Sequence, residues 1–236
     1  YTSIISRWNM GLNYYHWFLD GLTRLIHLDS FPPCCRILIP RGLPPYASRS
    51  LELLGLADRV EESAEEDLRI EHYWFAGPTM LTGCPDPAGV KWLRDHLVSH
   101  SEINGARWLY VERNAPTRGC ANAMEVREWF SARGWKVVDP GTMTLDEQIT
   151  MFSKATAVAG IHGAAMTNLL WMPPGGKVIE LMPSEFRNGC YAALALVVGL
   201  QHRSVVIPSN RRANVHISAQ HLEKFSQWAE NPTDEP

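Results

Sequence analysis

Several short motifs that mark a known chemistry are missing from this sequence. There is no Gly-x-x-x-x-Gly-Lys-Ser/Thr, which argues against a P-loop NTPase, and no Gly-x-Gly-x-x-Gly, the fingerprint of NAD- or FAD-binding folds. Neither the Gly-x-Ser-x-Gly of α/β-hydrolases nor the His-Glu-x-x-His of zinc proteases occurs. No Asp-x-Asp is present, which removes the simplest way to chelate a divalent metal on a nucleotide diphosphate. We therefore expect no metal site.

Cysteine is also scarce, with five residues in 236 and no Cys-x-x-Cys pair. The sequence thus predicts neither a disulfide scaffold nor a structural zinc. No usable Asn-x-Ser/Thr acceptor exists, because proline follows Asn231. Both absences favour a cytoplasmic, bacterial setting. The chain has no charged and apolar leader, so we expect that one was removed or that this is a fragment.

Long apolar runs and an excess of basic charge are absent too. No stretch approaches the roughly 18–20 apolar residues that span a bilayer, so we expect no transmembrane segment, and peripheral membrane association is left open. The net charge of −3 argues against a general nucleic-acid-binding protein. Hydrophobic content of 45% and charged content of 20% are typical of a globular protein, whose oligomeric state the sequence does not indicate.

The most informative stretch of the chain is residues 157–181. A short apolar run is followed by a Gly-rich turn, a helical segment that begins with small residues, a Pro-Pro-Gly-Gly stop and a second apolar run. This pattern predicts a βαβ unit. The start of its helix would offer free N–H groups and a partial positive charge to an anion such as a phosphate.

Strand and helix patterns alternate along the whole chain, which predicts parallel sheets covered by helices and an α/β fold. The pattern restarts near residue 100, so we place an N-terminal domain at residues 1–99 and a C-terminal domain at 100–236. Outside the central stretch, apolar runs predict strands at residues 2–6, 36–40, 68–75, 107–112, 135–138 and 203–207. Periodic patterns predict helices at 13–28, 48–56, 90–99, 122–133, 145–154, 190–199 and 218–229.

The first candidate site lies in the Gly-rich turn and comprises His162, Gly163, Thr167 and Asn168. Small residues here, including Ala164 and Ala165 at the helix start, would let backbone N–H groups reach a phosphate, and the histidine would add a donor. The alternative is a tight turn packed against the sheet, with the threonine and asparagine bonded to nearby backbone.

Two further candidate groups flank this turn in sequence. Arg113 and Arg118 follow a predicted strand, and arginine forks suit phosphate oxygens, although a solvated loop with Asn122 as a helix cap is the alternative. Glu180 ends a predicted strand, where a carboxylate can accept from ribose hydroxyls or form a salt bridge at the rim. Gln148 follows Glu147 at a helix start, where capping is the leading interpretation.

The predicted helix at residues 13–28 carries the polar candidates of the first domain. Most of its surface is apolar, while a narrow stripe at spacings of three and four holds Asn13, His16, Asp20, Arg24 and His27. His16 and Asp20 are one turn apart, so Asp20 could orient the imidazole or act as a base itself. The alternative is a solvated helix face, although such faces normally carry lysine and glutamate.

Taken together, these segments resemble glycosyltransferase family 61. Residues 13–22 are similar to the family's Asn-Tyr-x-His-Trp-x-x-Asp-x-Leu, and residues 160–168 to its Gly-x-His-Gly-Ala-Gly-Leu-Thr-Asn. The other matching positions are Arg113, Arg118, Asn122, Glu125, Glu147, Gln148, Phe152, Pro174, Gly175 and residues 178–181. The sequence departs from the family pattern at Ala123, where a Glu is usual, and at Ala165, where a Gly is usual.

The resemblance implies a GT-B fold, in which two Rossmann-like parallel-sheet domains face a cleft, with an N-terminal domain that is minimal or incomplete. It implies an inverting, metal-independent transfer from a nucleotide-sugar co-substrate, UDP-linked, to a glycan or other hydroxyl acceptor in polysaccharide biosynthesis, with no further cofactor. A eukaryotic member would work in the Golgi or ER lumen.

The resemblance also implies roles for the candidates. His16 or Asp20 would be the base, with Asn13 and Arg24 on the acceptor side. The donor would be bound by Arg113, Arg118, Asn122, Gln148, His162, Gly163, Ala164, Ala165, Thr167, Asn168 and Glu180. Two alternative functions remain: a nucleotide-sugar epimerase or hydrolase of the same fold, and a non-catalytic nucleotide- or sugar-binding module.

Overall fold

The structure is a computed structural model that describes residues 1–5, 13–65, 67–77, 81–98, 107–113 and 115–230, with side chains up to residue 225. The chain forms two compact units. The first contains Tyr1–His100 together with Thr144–Thr150, and the second contains Ser101–Met143 together with Met151–Pro236. The predicted division at residue 100 differs from this one in keeping residues 144–150 with the C-terminal part.

In the described part of the first unit, the sheet has two parallel strands, β1 (Ile37–Pro40) and β2 (Val60–Ser63). Thr2 adds a single parallel bridge to Ile37. Three helices accompany the sheet: α1 (Tyr14–His16), α2 (Pro45–Leu53) and α3 (Pro87–Leu97). The chain continues from α1 as a π-helical turn, Trp17–Gly21, and then as a 3₁₀ helix, Leu22–Ser30.

Two predictions for this unit need correction. The strand predicted at residues 68–75 does not form, and the second strand is instead β2, whose sequence Val-Glu-Glu-Ser is too polar to give an apolar signal. The predicted helix at 13–28 is helical but not uniform. Its register changes at Gly21, whose ψ of −75° departs from an α-helix, and the Thr23 hydroxyl donates back to the carbonyl of Leu19.

In the described part of the second unit, the sheet has five parallel strands. Its strands are β3 (Trp108–Val111), β4 (Lys136–Val138), β5 (Ala157–Ile161), β6 (Lys177–Pro183) and β7 (Gln201–Ile207), in the order β4-β3-β5-β6-β7. The helices are α4 (Ala123–Ser131), α6 (Cys190–Val198), α7 (Ala219–Glu230) and a 3₁₀ helix, Ala164–Trp171, while α5 (Leu145–Phe152) lies mostly in the stretch Thr144–Thr150 that belongs to the first unit. The predicted α/β fold with parallel sheets is confirmed, while the GT-B arrangement stays a prediction.

One large core packs against the sheet of the second unit. Tyr110 on β3 stacks on Phe130 of α4 with ring centroids 4.1 Å apart, and Trp135 meets the same phenylalanine edge-on at 5.2 Å. All three are buried, as are Ile179 and Leu181 of β6. The near-continuous apolar strands are typical of a parallel sheet that is covered on both faces.

Candidate functional site

The order of the strands in the second unit points to a candidate ligand site at the carboxyl ends of β3 and β5. The chain passes from β3 to β4 on one side and then returns to β5 on the other side, so the topology reverses between β3 and β5. In open parallel sheets, ligands bind outside the carboxyl ends of strands at such a reversal. Arg113 lies two residues beyond the end of β3 at Val111, and His162 directly follows the end of β5 at Ile161.

The side chain of Arg113 packs against Gly163 at the carboxyl ends of these strands. A Cβ atom added to Gly163 would overlap the guanidinium of Arg113, so the glycine leaves the space that the arginine occupies. The backbone of Gly163 is extended, with a φ of 173° that any residue adopts, so its role is to provide space rather than a special turn. Burial, and secondarily the charge of Arg118, lower the pKa of Arg113. Its Nε donates to the carbonyl of Thr117 at 3.3 Å.

Arg118 joins the same cluster from a constrained backbone. Its φ of 58° is in the left-handed region, which non-glycine residues seldom adopt, and its N–H donates to the carbonyl of Arg212 at 3.1 Å. The guanidinium lies over the ring of Phe186, 4.4 Å from its centroid, and this ring lies 5.3 Å from that of His162. Arg113, Arg118 and His162 thus gather at the predicted anion site.

The 3₁₀ helix Ala164–Trp171 starts directly beneath this cluster, with its first residues half-buried. Thr167 and Asn168 lie deeper and are fully buried. The threonine hydroxyl is 3.4 Å from that of Tyr191, and the Asn168 amide donates to the carbonyl of Ala165 at 3.0 Å. Both side chains therefore have partners inside the unit, and a direct contact with a donor remains a prediction for them.

A buried network connects His162 to two neighbouring strands. Glu180 of β6 is fully buried, and its Oε1 is hydrogen-bonded to Nδ1 of His162 while its Oε2 is 2.9 Å from Nε2 of His202 on β7. Burial alone would raise the pKa of Glu180, but the hydrogen bonds from the two histidines hold it below its usual value. The carboxylate is thus ionised in the interior, paired with two imidazoles.

In the first unit, the polar pair predicted on the first helix does form. His16 Nδ1 is 2.6 Å from Asp20 Oδ2, and the hydroxyl of Thr82 also donates to that oxygen. The side chains are 22% and 18% exposed, so both are partly buried and still accessible. With Asp20 accepting from Nδ1, the imidazole is oriented, and Nε2 becomes the nitrogen that would accept a proton.

The two residues predicted on the acceptor side both have structural contacts. The Asn13 side chain accepts from the backbone N–H of His16 and caps α1. Arg24 is buried, its Nε donates to the carbonyl of Ala76 at 2.5 Å, and its guanidinium lies 5.9 Å from the ring centroid of Phe75. Contact with an acceptor remains a prediction for both.

Two further predicted donor residues, Asn122 and Gln148, have surroundings of their own. The Asn122 amide exchanges two hydrogen bonds with the backbone of Ile217, at 2.9 and 3.0 Å, and donates to Glu125, so it anchors the start of α4 without capping it. Gln148 is buried within the stretch Thr144–Thr150 that belongs to the first unit. Their predicted roles stay predictions.

Four residues around these sites were not among the candidates. Thr82 and His202 complete the two histidine–carboxylate networks, Phe186 lies between Arg118 and His162, and Tyr191 donates its hydroxyl to the carbonyl of Gly163 at 2.7 Å. His202 precedes the strand predicted at residues 203–207, but no sequence pattern pairs it with Glu180. The others depend on tertiary contacts that no local pattern records.

Within the described residues, no group of three or more histidine, cysteine, aspartate or glutamate side chains is arranged to hold a metal ion. In the same part of the chain, no helix combines the length and the apolar character that crossing a membrane requires.

Comparison with known proteins identifies the family of this chain. The profile of glycosyltransferase 61 matches residues 14–179. The beta-1,2-xylosyltransferase RCN11 of Oryza sativa subsp. japonica is 28% identical over 136 residues, which cover 50% of this chain and 26% of that protein. This relative is a plant protein, so it gives no support to the expected bacterial, cytoplasmic setting. Because the match with the family profile covers well over half of the chain, the chain belongs to glycosyltransferase family 61.

Proposed function

We propose that this chain transfers a sugar from a UDP-linked donor to a hydroxyl of a glycan or other acceptor, with inversion at the anomeric carbon and without a metal ion. The observation that carries the proposal is the gathering of Arg113, Arg118 and His162 over the helix start at Gly163, where the sheet topology reverses. Family membership supports sugar transfer as the reaction.

The departing diphosphate explains the need for this cluster. As the bond between the anomeric carbon and the phosphate oxygen breaks, the electron pair leaves with UDP and negative charge develops on the diphosphate. Donors fixed in advance, in a site with little water, stabilise such charge more than solvent does. Arg113 and Arg118 would supply fixed positive charge in the place of a metal ion, and the helix start at Ala164 and Ala165 would add backbone N–H groups.

The acceptor hydroxyl must lose its proton as its oxygen bonds to the anomeric carbon. We assign the base to the His16–Asp20 pair of the first unit. Because Asp20 accepts from His16 Nδ1 and from Thr82, the arrangement favours His16 as the base and Asp20 as the residue that orients it. Asp20 acting directly as the base is the alternative.

The rice relative is named as a beta-1,2-xylosyltransferase, so UDP-xylose is the first donor to test, with hexosyl donors next. Two Rossmann-like domains in a GT-B arrangement would hold this donor on the C-terminal side. Because the relative is eukaryotic, we favour a lumenal setting in the Golgi or ER over the cytoplasm.

The test is a thermal-shift screen of the purified chain against UDP, GDP and CMP, followed by incubation with UDP-sugars with and without xylan oligosaccharides. We expect UDP to raise the melting temperature, EDTA to leave transfer unchanged, and NMR to show a product of inverted anomeric configuration. Fast epimerisation, or UDP release without acceptor, would instead identify an epimerase or hydrolase. UDP binding without turnover of any sugar would identify a binding module.

A further inference from the structure

We propose that Glu180 and His202 are positioning residues, which hold His162 in the orientation and tautomer that bind the diphosphate of the donor. The proposal rests on the function proposed above and deepens it, since it names how the imidazole of the donor site is controlled. It also gives Glu180 a role different from the ribose contact that the sequence suggests.

The burial of Glu180 is the first step of the argument. A carboxylate in the protein interior is costly unless hydrogen-bonded partners compensate its charge. Here each oxygen has its own imidazole partner, His162 for Oε1 and His202 for Oε2, and the residue has no exposed surface. A ribose hydroxyl entering from solvent therefore has no path to this carboxylate in the structure.

The second step concerns the tautomer of His162. An ionised carboxylate only accepts hydrogen bonds, so Nδ1 of His162 must carry the hydrogen that it shares with Glu180. Its other nitrogen, Nε2, is then the atom at which a second proton can be gained or lost. In the protonated state Nε2 donates, and a diphosphate oxygen is the acceptor that fits such a donor.

His202 completes the arrangement from β7. Its Nε2 donates to the second oxygen of Glu180 and stops the carboxylate from rotating away from His162. Residues that orient a ligand-binding histidine through a hydrogen bond fix both its ring position and its tautomer. His202 therefore acts on the donor through two other side chains without touching it.

Charged and titratable groups face His162 from several elements. Among the described residues these are Glu180 on β6, His202 on β7, Tyr191 on α6 with its ring centroid 5.0 Å away, and Arg118 beyond Phe186. Arg113 lies beside the next residue, Gly163. Arg113 and Arg118 add positive charge beside His162, which favours an anionic ligand such as a diphosphate.

Two variants that differ in the position of one amide test this inference. The side-chain nitrogen of glutamine occupies the place of a histidine Nε2, whereas that of asparagine occupies the place of Nδ1. His202→Gln keeps the bond to Glu180, while His202→Asn removes it. His216→Gln, at an exposed position, is the control for loss of a histidine.

The measurements are the dissociation constant of UDP, by calorimetry, and the tautomer of His162, by ¹⁵N NMR with His162→Asn for assignment. His202→Asn should weaken UDP binding about tenfold, the scale of one hydrogen bond to a charged group, and reduce the Nδ1–H form. His202→Gln and His216→Gln should keep both.

Wild-type affinity and tautomer in His202→Asn would overturn the inference, as would a free protein in which His162 carries no hydrogen on Nδ1. These outcomes are distinct from failure of the proposed function. If UDP does not bind the wild type, the proposed donor is wrong, whereas the tautomer of His162 in the free protein still decides whether Glu180 and His202 position it.

Discussion

The guanidinium of Arg113 occupies the space that the Cβ of any larger residue at position 163 would need, so Gly163 and Arg113 fit together as one unit. The obstacle is the end of a flexible side chain, which can move away. We therefore predict that Gly163→Ala folds with a melting temperature close to wild type but displaces the arginine. Affinity for UDP should fall about tenfold, as expected for one lost hydrogen bond to a charged group.

The chain offers a matched control for this substitution. Gly189 precedes α6, has a φ of −86°, and a Cβ added there would meet nothing within 4 Å. Gly189→Ala should leave the affinity for UDP unchanged in the same calorimetric titration. If Gly163→Ala also binds UDP normally, Arg113 is not a donor ligand; if it unfolds, the packing at this position is tighter than the contact with the arginine implies.

Acid stability should depend on Glu180. Hydrogen bonds from His162 and His202 outweigh its burial and hold the pKa of this carboxyl below its unfolded value, near 4.3. Its contribution to the free energy of unfolding is therefore present above that pH and is lost as the pH falls through the lower, folded pKa. We predict that Glu180→Gln is less stable at neutral pH, because the amide oxygen accepts but the amide nitrogen cannot.

The measurement is urea unfolding between pH 3 and 7. The loss of stability below about pH 4.3 should be smaller in Glu180→Gln than in the wild type, since the titrating group has gone. Glu128→Gln, on the exposed face of α4, should keep the wild-type slope. An equal acid slope in Glu180→Gln would show that other groups control acid unfolding.

The second unit was largely predictable because its signals are local. The apolar run predicted at the start of the stretch 157–181 forms β5, Ala157–Ile161. The predicted helix at 190–199 differs from α6 by its last residue, Gly199, which has a left-handed φ of 82° and ends the helix. Fully buried parallel strands form continuous apolar runs, which can be recognised in the sequence without knowledge of the fold.

The first unit was harder because burial there does not follow the pattern of the sequence. Tyr73 and Phe75 alternate with other residues as in a strand, yet they are 45% and 67% exposed, and the strand that pairs with β1 carries two glutamates, Glu61 and Glu62. The start of α2 at Pro45 had a signal, since proline fits the first turn of a helix, but the prediction placed it at residue 48.

The site shows the same division between local and tertiary information. The i,i+4 spacing of His16 and Asp20 predicts their contact, whereas the pairing of Glu180 with His162 and His202 depends on the register of three neighbouring strands. The sequence predicts Gly163 as a residue of a Gly-rich turn. The reason a glycine is needed at this position is the space that Arg113 occupies, and this cannot be inferred without the fold.

The core of the second unit gives a stability prediction. Phe130 is fully buried and contacts the rings of Tyr110, Trp129 and Trp135. Phe130→Ala should lower the free energy of unfolding by about 3–5 kcal/mol, through lost burial and a cavity that its neighbours fill poorly. Met124→Ala on the same helix, 76% exposed, should change it by less than about 0.5 kcal/mol. Denaturant unfolding followed by tryptophan fluorescence measures both, and similar losses would contradict the described packing.

The proposed base makes a prediction that separates chemistry from donor binding. His16→Asn keeps a nitrogen at the place of Nδ1, and so its bond to Asp20, but lacks Nε2. If His16 is the base, this variant should lose transfer by about 10²–10⁴-fold, the usual contribution of general base catalysis, while its affinity for UDP stays unchanged. Asp20→Asn should lose less, because the imidazole remains and only its orientation and charge balance suffer.

Asp95→Asn, which removes the carboxylate of another i,i+4 pair with Lys91, is the control and should transfer normally. Initial rates at saturating UDP-sugar decide between the two assignments: a greater loss in Asp20→Asn than in His16→Asn makes Asp20 the base. Normal transfer in both variants would mean that the proton of the acceptor goes elsewhere.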